Sequence, residues 1–218
     1  LIIMLKFRPF VNTILISLLL LTIGVLLWIR QSSQPSYLDT VNLTPAPIPD
    51  DIFVGDKMVP PVPIADFNLI NYTGDNVSNS NLLGKITLLS FTYTSCPDTC
   101  PIMFGRFLGL QKEFDNALDA DIQLVFVTVD PEVDTPERLK QYTETLGGQW
   151  LFLTEELDIM REIWDTFHVY VEKEGALVGH SNLTYLIDEL GLVQVRYSGL
   201  PPTSAFAADI RKLQEQSS

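Results

Sequence analysis

The chain has 218 residues, 46% of them hydrophobic, and a formal charge of −13. That apolar content excludes a wholly disordered protein, and the length suits one domain of ordinary size with a further segment. Three of the fourteen basic residues, Lys6, Arg8 and Arg30, stand in the first thirty positions, which hold no acidic residue, so residues 31–218 carry a formal −16; so acidic a domain repels nucleic acid and anionic lipid and suits a cationic metal ion or a basic protein face.

From Val11 to Ile29 nineteen residues pass without a charge, with leucine and isoleucine dominant. A helix of that length crosses a bilayer, and the run ends in Leu27-Trp28-Ile29-Arg30 instead of the small residues of a cleavage site, so an uncleaved anchor is expected. Lys6 and Arg8 before it put residues 1–10 on the cytoplasmic side. Residues 30–63 follow as a tether: Gln31–Pro63 holds seven prolines, densest in TPAPIPDD and VPPVP, and such chain acts as a semi-rigid spacer. The globular domain is then expected over 64–218.

Within it the hydrophobic period alternates. KITLLSFTY (Lys85–Tyr93) and IQLVFVTVD (Ile122–Asp130) are short, β-branched and aromatic, the pattern of buried strands in a mostly parallel sheet. After the second, Thr135 can cap a helix with Pro136 at its first position, Leu139, Tyr142 and Leu146 on one face, and Gly147-Gly148 to stop it. WLFLT reads as a strand. Thr154 is expected to cap a helix burying Leu157, Met160, Trp164 and Phe167. LTYLIDELGLVQVRYSG reads as a hairpin turning through Asp188–Gly191, and Phe206, Ile210 and Leu213 mark a closing helix. The order predicts an α/β fold, a central mixed sheet with helices on both faces and an antiparallel edge, arranged as in thioredoxin-like proteins.

Cys96 and Cys100 are the only cysteines, in SCPDTCP where the first central strand gives way to its helix. Ligands collect just beyond the carboxyl ends of strands in such sheets, and a helix N-terminus favours thiolate over thiol. Four positions apart, the two side chains fall on one side of a helical turn, with one more intervening residue than the redox motif of thioredoxins and room for a third body such as a metal ion. A structural disulfide would close only a five-residue loop and restrain the unfolded chain little; a dithiol reductant is the stronger alternative. Of the two histidines, His168 in TFHVY reads as a packed or capping side chain. His180, in GHSNLTYLID, is expected on a loop just before a strand, where it could add a nitrogen to the two sulfurs, a set that suits Cu(I), Cu(II) or zinc.

Three segments, FTYTSCPDTCP, VFVTVDPEVDTPERLKQY and GHSNLTYLIDELG, resemble in order and spacing the signatures of the Sco/SenC family, membrane-anchored copper proteins of cytochrome c oxidase assembly. The resemblance covers roughly 64–215. It implies copper over zinc, with Cys96, Cys100 and His180 as metal ligands and Asp130 beside them or as a weak fourth. It also implies a chaperone delivering copper to the binuclear centre of oxidase subunit II, served by a copper donor and a thiol reductant. The absence of an arginine- and serine-rich stretch before the anchor favours a bacterial inner membrane, with the domain in the periplasm. The competing class is a thiol-disulfide oxidoreductase acting through Cys96 and Cys100 without carrying metal; a sensor lacks any appended output domain, and a peroxidase lacks the arginine, or glutamine and tryptophan, setting around its cysteine. Two positions depart from the family pattern: Gly179 stands where aspartate is common before the histidine, which removes a carboxylate that could orient His180, and Glu189 interrupts the usual D-P-x-G turn.

Overall fold

Every side chain of Ile86–Thr92 and of Ile122–Thr128 is buried, and the two runs pair in parallel at the centre of the sheet in a computed structural model that describes residues 20–27 and 52–217 apart from 116, 119 and 176. In chain order the strands are β1 (Asp56–Pro63), β2 (Asn68–Asn71), β3 (Asn76–Ser78), β4 (Ile86–Thr92), β5 (Ile122–Thr128), β6 (Leu151–Thr154), β7 (Val171–Glu174), β8 (Leu177–His180), β9 (Leu183–Ile187) and β10 (Leu192–Ser198). The helices are α1 (Cys100–Glu113), α2 (Pro136–Leu146), α3 (Leu157–Thr166) and α4 (Thr203–Ser217). Eight strands form one sheet in the order β1-β10-β9-β4-β5-β6-β2-β3, and β7 and β8 form a separate hairpin.

Only β4, β5 and β6 run parallel; antiparallel strands flank them on both sides, not on one edge as expected. Helices do cover both faces. Phe126 of β5 packs against Phe104 and Phe107 of α1, and Phe107 meets Phe206 of α4. Phe91 of β4, in register with Val127 and therefore on the opposite face, meets Phe167 just after α3.

Local chemistry accounts for the elements. Thr135 caps α2 by accepting from the N–H of Arg138 at 3.4 Å, as its sequence requires. Thr154, by contrast, is the buried end of β6, and α3 starts after Glu156. His168 is exposed and takes a left-handed backbone, φ 54°, that ends α3, so it terminates the helix and does not pack in the core. At the β9–β10 turn the Asp188 carboxylate accepts from the N–H groups of Leu190 and Leu192, and Gly191 supplies the positive φ of 78°. Glu189 therefore stands in a turn already specified by its neighbours.

Residues 56–63, expected to belong to the tether, are strand β1. They pair with β10 at the sheet's edge, where Asp56 and Lys57 face Arg196 and Val195, and the register is interrupted before Val62. Pro60 and Pro61 occupy that interruption, the one setting in which residues without an N–H fit a strand. The expected anchor over 11–29 lies largely outside the described residues, as do residues 30–51; residues 20–27 are helical with exposed leucines. Among the described residues no helix is long and apolar enough to cross a membrane.

Candidate metal centre

The loop from Tyr93 to Thr99 carries the end of β4 into the N-terminus of α1, and Cys100 is the first helical residue. The N–H of Cys100 donates to the sulfur of Cys96 at 3.4 Å, while Thr99 at the cap position makes no side-chain capping bond. The Cys96 sulfur thus takes the place of a capping oxygen at the positive end of the helix. Pro101, in the first turn, forfeits no hydrogen bond there. Both thiols are free; Cys96 is half-buried and Cys100 only 3% exposed.

The two sulfurs titrate as a unit with opposite displacements. Partial burial pushes the Cys96 thiol up, but hydrogen bonds from the Cys100 side chain and from the backbone of Asp98 and Cys100 outweigh it and hold Cys96 below the ordinary value. Burial, reinforced by the proton shared with Cys96, pushes Cys100 up to about 12. The accessible sulfur therefore ionises before the buried one.

His180 is the last residue of β8, not a loop residue. Its Nδ1 lies 3.1 Å from the carbonyl oxygen of Ser181, so Nδ1–H donates there and the lone pair is left on Nε2. Burial lowers its pKa against a smaller opposing effect of that hydrogen bond, which keeps the ring neutral at pH 7. Between it and the cysteines stands Tyr93, 3% exposed, whose ring meets His180 edge-on at 5.9 Å and whose hydroxyl accepts from the N–H of Val178 at 3.4 Å; burial raises its pKa, and the neighbouring Cys96 adds to the rise. The cysteines are therefore together, and His180 joins them through Tyr93. Among the described residues no three His, Cys, Asp or Glu side chains yet stand close enough to share one metal ion.

Asp130 is 2% exposed and pairs with Lys173 at 2.8 Å; the same ammonium reaches Glu132 at 2.9 Å. The small cavity it borders is lined also by Arg161 and Trp164, but by neither cysteine nor by His180. The neighbouring Asp134, which no pattern in the sequence marks, is fully buried. It accepts from the N–H of Thr94 at 3.1 Å and from the hydroxyls of Thr94 and Thr128, and Arg138 lies 3.7 Å away. Burial raises its pKa against those hydrogen bonds. Through Thr94 the DPEVDTP segment thereby fixes the loop that carries Cys96. Neither Tyr93 nor Asp134 has a local signal beyond lying inside the motifs that also hold the cysteines and Asp130.

Gly179 has less effect on His180 than its departure from the family pattern implies. In the hairpin Gly179 faces Glu172 and Val171 faces His180, so position 179 projects from the exposed face while His180 projects from the other. A Cβ at 179 would meet only the Glu172 carbonyl, at 3.8 Å. The Ser181 carbonyl, not residue 179, sets the imidazole's tautomer.

Comparison with known proteins places these features in context. The family model described as SCO1/SenC matches residues 59–215. A SCO2-like protein of Rickettsia typhi is 29% identical over 187 residues, covering 82% of this chain and 85% of its own; other SCO2-like proteins of Rickettsia are spanned over 64% of their length. The crystal structure of Arabidopsis thaliana ScoI with copper bound superposes with a TM-score of 0.62 at 28% identity, over 69% of this chain and 98% of that one. A structure of BsSco, described as a Sco-family cytochrome c oxidase assembly protein with a disulfide switch, gives 0.61 at 27% identity over 74% and 98%.

Proposed function

The chain belongs to the SCO1/SenC family, and from that premise we propose that it is a copper-binding assembly protein of cytochrome c oxidase that holds one copper ion through Cys96, Cys100 and His180 and delivers it to the binuclear copper site of subunit II. The observation that carries the reading is the cysteine pair at the head of α1, an accessible sulfur whose thiol is held below its ordinary value with a second sulfur beside it, and, across Tyr93, an imidazole whose Nδ1–H is held. Two thiolates and one imidazole suit Cu(I), Cu(II) or zinc, and membership of the family favours copper.

Cys96 makes the first contact, since it is the more accessible of the two sulfurs and the one whose thiol is held below the ordinary value. Cys100 then gives up its proton, so loading releases protons and weakens as pH falls. His180 closes the set by an approach of the β7–β8 hairpin toward the cysteines. A site with one exposed sulfur lets a recipient thiolate enter before the last donor ligand leaves, which is what transfer by ligand exchange requires. The uncharged run 11–29 serves as a single-pass anchor in a bacterial inner membrane, and the acidic domain works in the periplasm, fed by a copper donor and kept reduced by a thiol reductant.

A thiol-disulfide oxidoreductase is the second reading, and the unequal thiols favour it. The Cys96 thiolate would attack one sulfur of a recipient disulfide and expel the other as a thiolate, and Cys100 would then release the mixed disulfide, leaving an oxidised Cys96–Cys100 pair and a reduced recipient. His180 separates the two. Copper titration of the reduced chain, followed by bound-metal analysis and thiolate-to-Cu(II) absorption, is expected to give one equivalent. His180→Ala should lose more than the roughly 10–100-fold that a merely supporting residue costs. Thiol oxidation without retained copper, together with unchanged disulfide reduction by His180→Ala, would assign the cysteines to a reductase instead.

A further inference from the structure

The hairpin that carries His180 is not part of the main sheet, so its position depends on what ties it down. Its two faces differ. Glu172, Glu174, Leu177 and Gly179 lie on the outward face, whereas Val171, Lys173, Val178 and His180 alternate with them on the side toward the domain, the Lys173 side chain remaining 38% exposed. On that inward face Val178 is buried and its N–H reaches the Tyr93 hydroxyl. Directly across from Val178 is Lys173, whose ammonium meets the carboxylates of Asp130 and Glu132 just past the end of β5.

Exposed ion pairs contribute little, but the Asp130 carboxylate is almost fully buried. Removing its cation would leave an uncompensated charge in the interior, so this pair resists opening as an exposed one does not. We propose that the Lys173 ammonium, bound to Asp130 and Glu132, is a latch that holds the β7–β8 hairpin against the sheet and thereby positions His180 for the cysteine pair. Asp130 then serves the site as the latch's anchor and does not itself meet the metal. The latch sets how far His180 stands from the thiolates, and with it how tightly the cargo is kept. The metal-binding consequence rests on the ligand set proposed above; the mechanical one does not.

Lys173→Met, Lys173→Arg and Asp130→Asn, with the Lys173→Met/Asp130→Asn double variant, test this in the full chain in nonionic detergent, using amide hydrogen exchange of the copper-free protein and competition for Cu(I). Lys173→Met is expected to speed exchange at Val178 and its hairpin neighbours about 10-fold while β4 and β5 stay protected. Copper affinity should fall by roughly 10–100-fold, as for residues that orient ligands. Lys173→Arg should retain most of both, and the double variant should be no worse than Lys173→Met, because Asp130→Asn removes one of the two contacts that Lys173→Met already removes. Hairpin exchange unchanged in Lys173→Met would overturn the latch whatever copper does, as would additive losses in the double variant. Faster hairpin exchange in Lys173→Met with wild-type copper binding that ignores His180→Ala would uphold the latch and refute the ligand set.

Discussion

Brief treatment of the reduced protein with iodoacetamide should modify Cys96 and leave Cys100 almost untouched. Cys100 is displaced from an ordinary 9.0 to about 12, so near neutrality it holds about 1,000-fold less thiolate than an ordinary cysteine. A more basic thiolate is a better nucleophile, and a Brønsted coefficient of about 0.5 returns roughly 30-fold, leaving a net handicap of about 30-fold. Cys96 lies below the ordinary value and gains where Cys100 loses, and the burial of Cys100 adds steric exclusion. The initial-rate ratio is therefore expected to be at least about 30 at pH 7, read by timed quenching and mass spectrometry of the peptide containing both residues. Cys100→Ala removes a hydrogen bond to Cys96 and should move the pH inflection of Cys96 alkylation upward. Rates within about threefold of one another, or Cys100 reacting first, would refute the assignment of the ionised sulfur.

Acid should weaken the fold through His180. Its folded pKa is depressed below 6.5 by burial, so the unfolded chain binds the proton more readily; stability from this group is complete above pH 6.5 and is lost as pH falls through the folded value. His180→Gln should flatten that part of the urea-midpoint profile, and an unchanged profile would contradict it. Phe126→Ala, which empties a ring stacked on Phe107 at 4.2 Å and packed against Phe104 at 4.8 Å, is expected to cost about 3–5 kcal/mol in urea unfolding. A loss below about 1 kcal/mol would show that this face of the sheet is not packed as described. Gly179→Asp should leave copper affinity unchanged, because residue 179 projects away from His180; binding about tenfold tighter would show that its side chain reaches the site.

The sequence was most informative where the physics is local. Two uniformly apolar runs announced β4 and β5, Thr135-Pro136 and Gly147 bracketed α2, and the Asp188–Gly191 turn gave the β9–β10 hairpin. It also placed both cysteines at the head of a helix, although Cys96 proved to precede the helix and to cap it. What failed was non-local. Prolines in VPPVP read as tether because nothing in the run says that an edge of the sheet waits for it across more than a hundred residues. The strands β2, β3, β7 and β8 are three or four residues long, too short for a period to show, so from sequence His180 reads as a loop residue. The link from Lys173 to Asp130 spans 43 residues and exists only because the hairpin folds back on β5.

X-ray absorption of the Cu(I)-loaded reduced chain tests the central claim most directly, because it counts the atoms around the metal. Two sulfur neighbours and one nitrogen are expected, with the nitrogen lost in His180→Ala and one sulfur lost in Cys100→Ser. A copper shell without sulfur, or one that His180→Ala leaves intact, would contradict the site built from Cys96, Cys100 and His180.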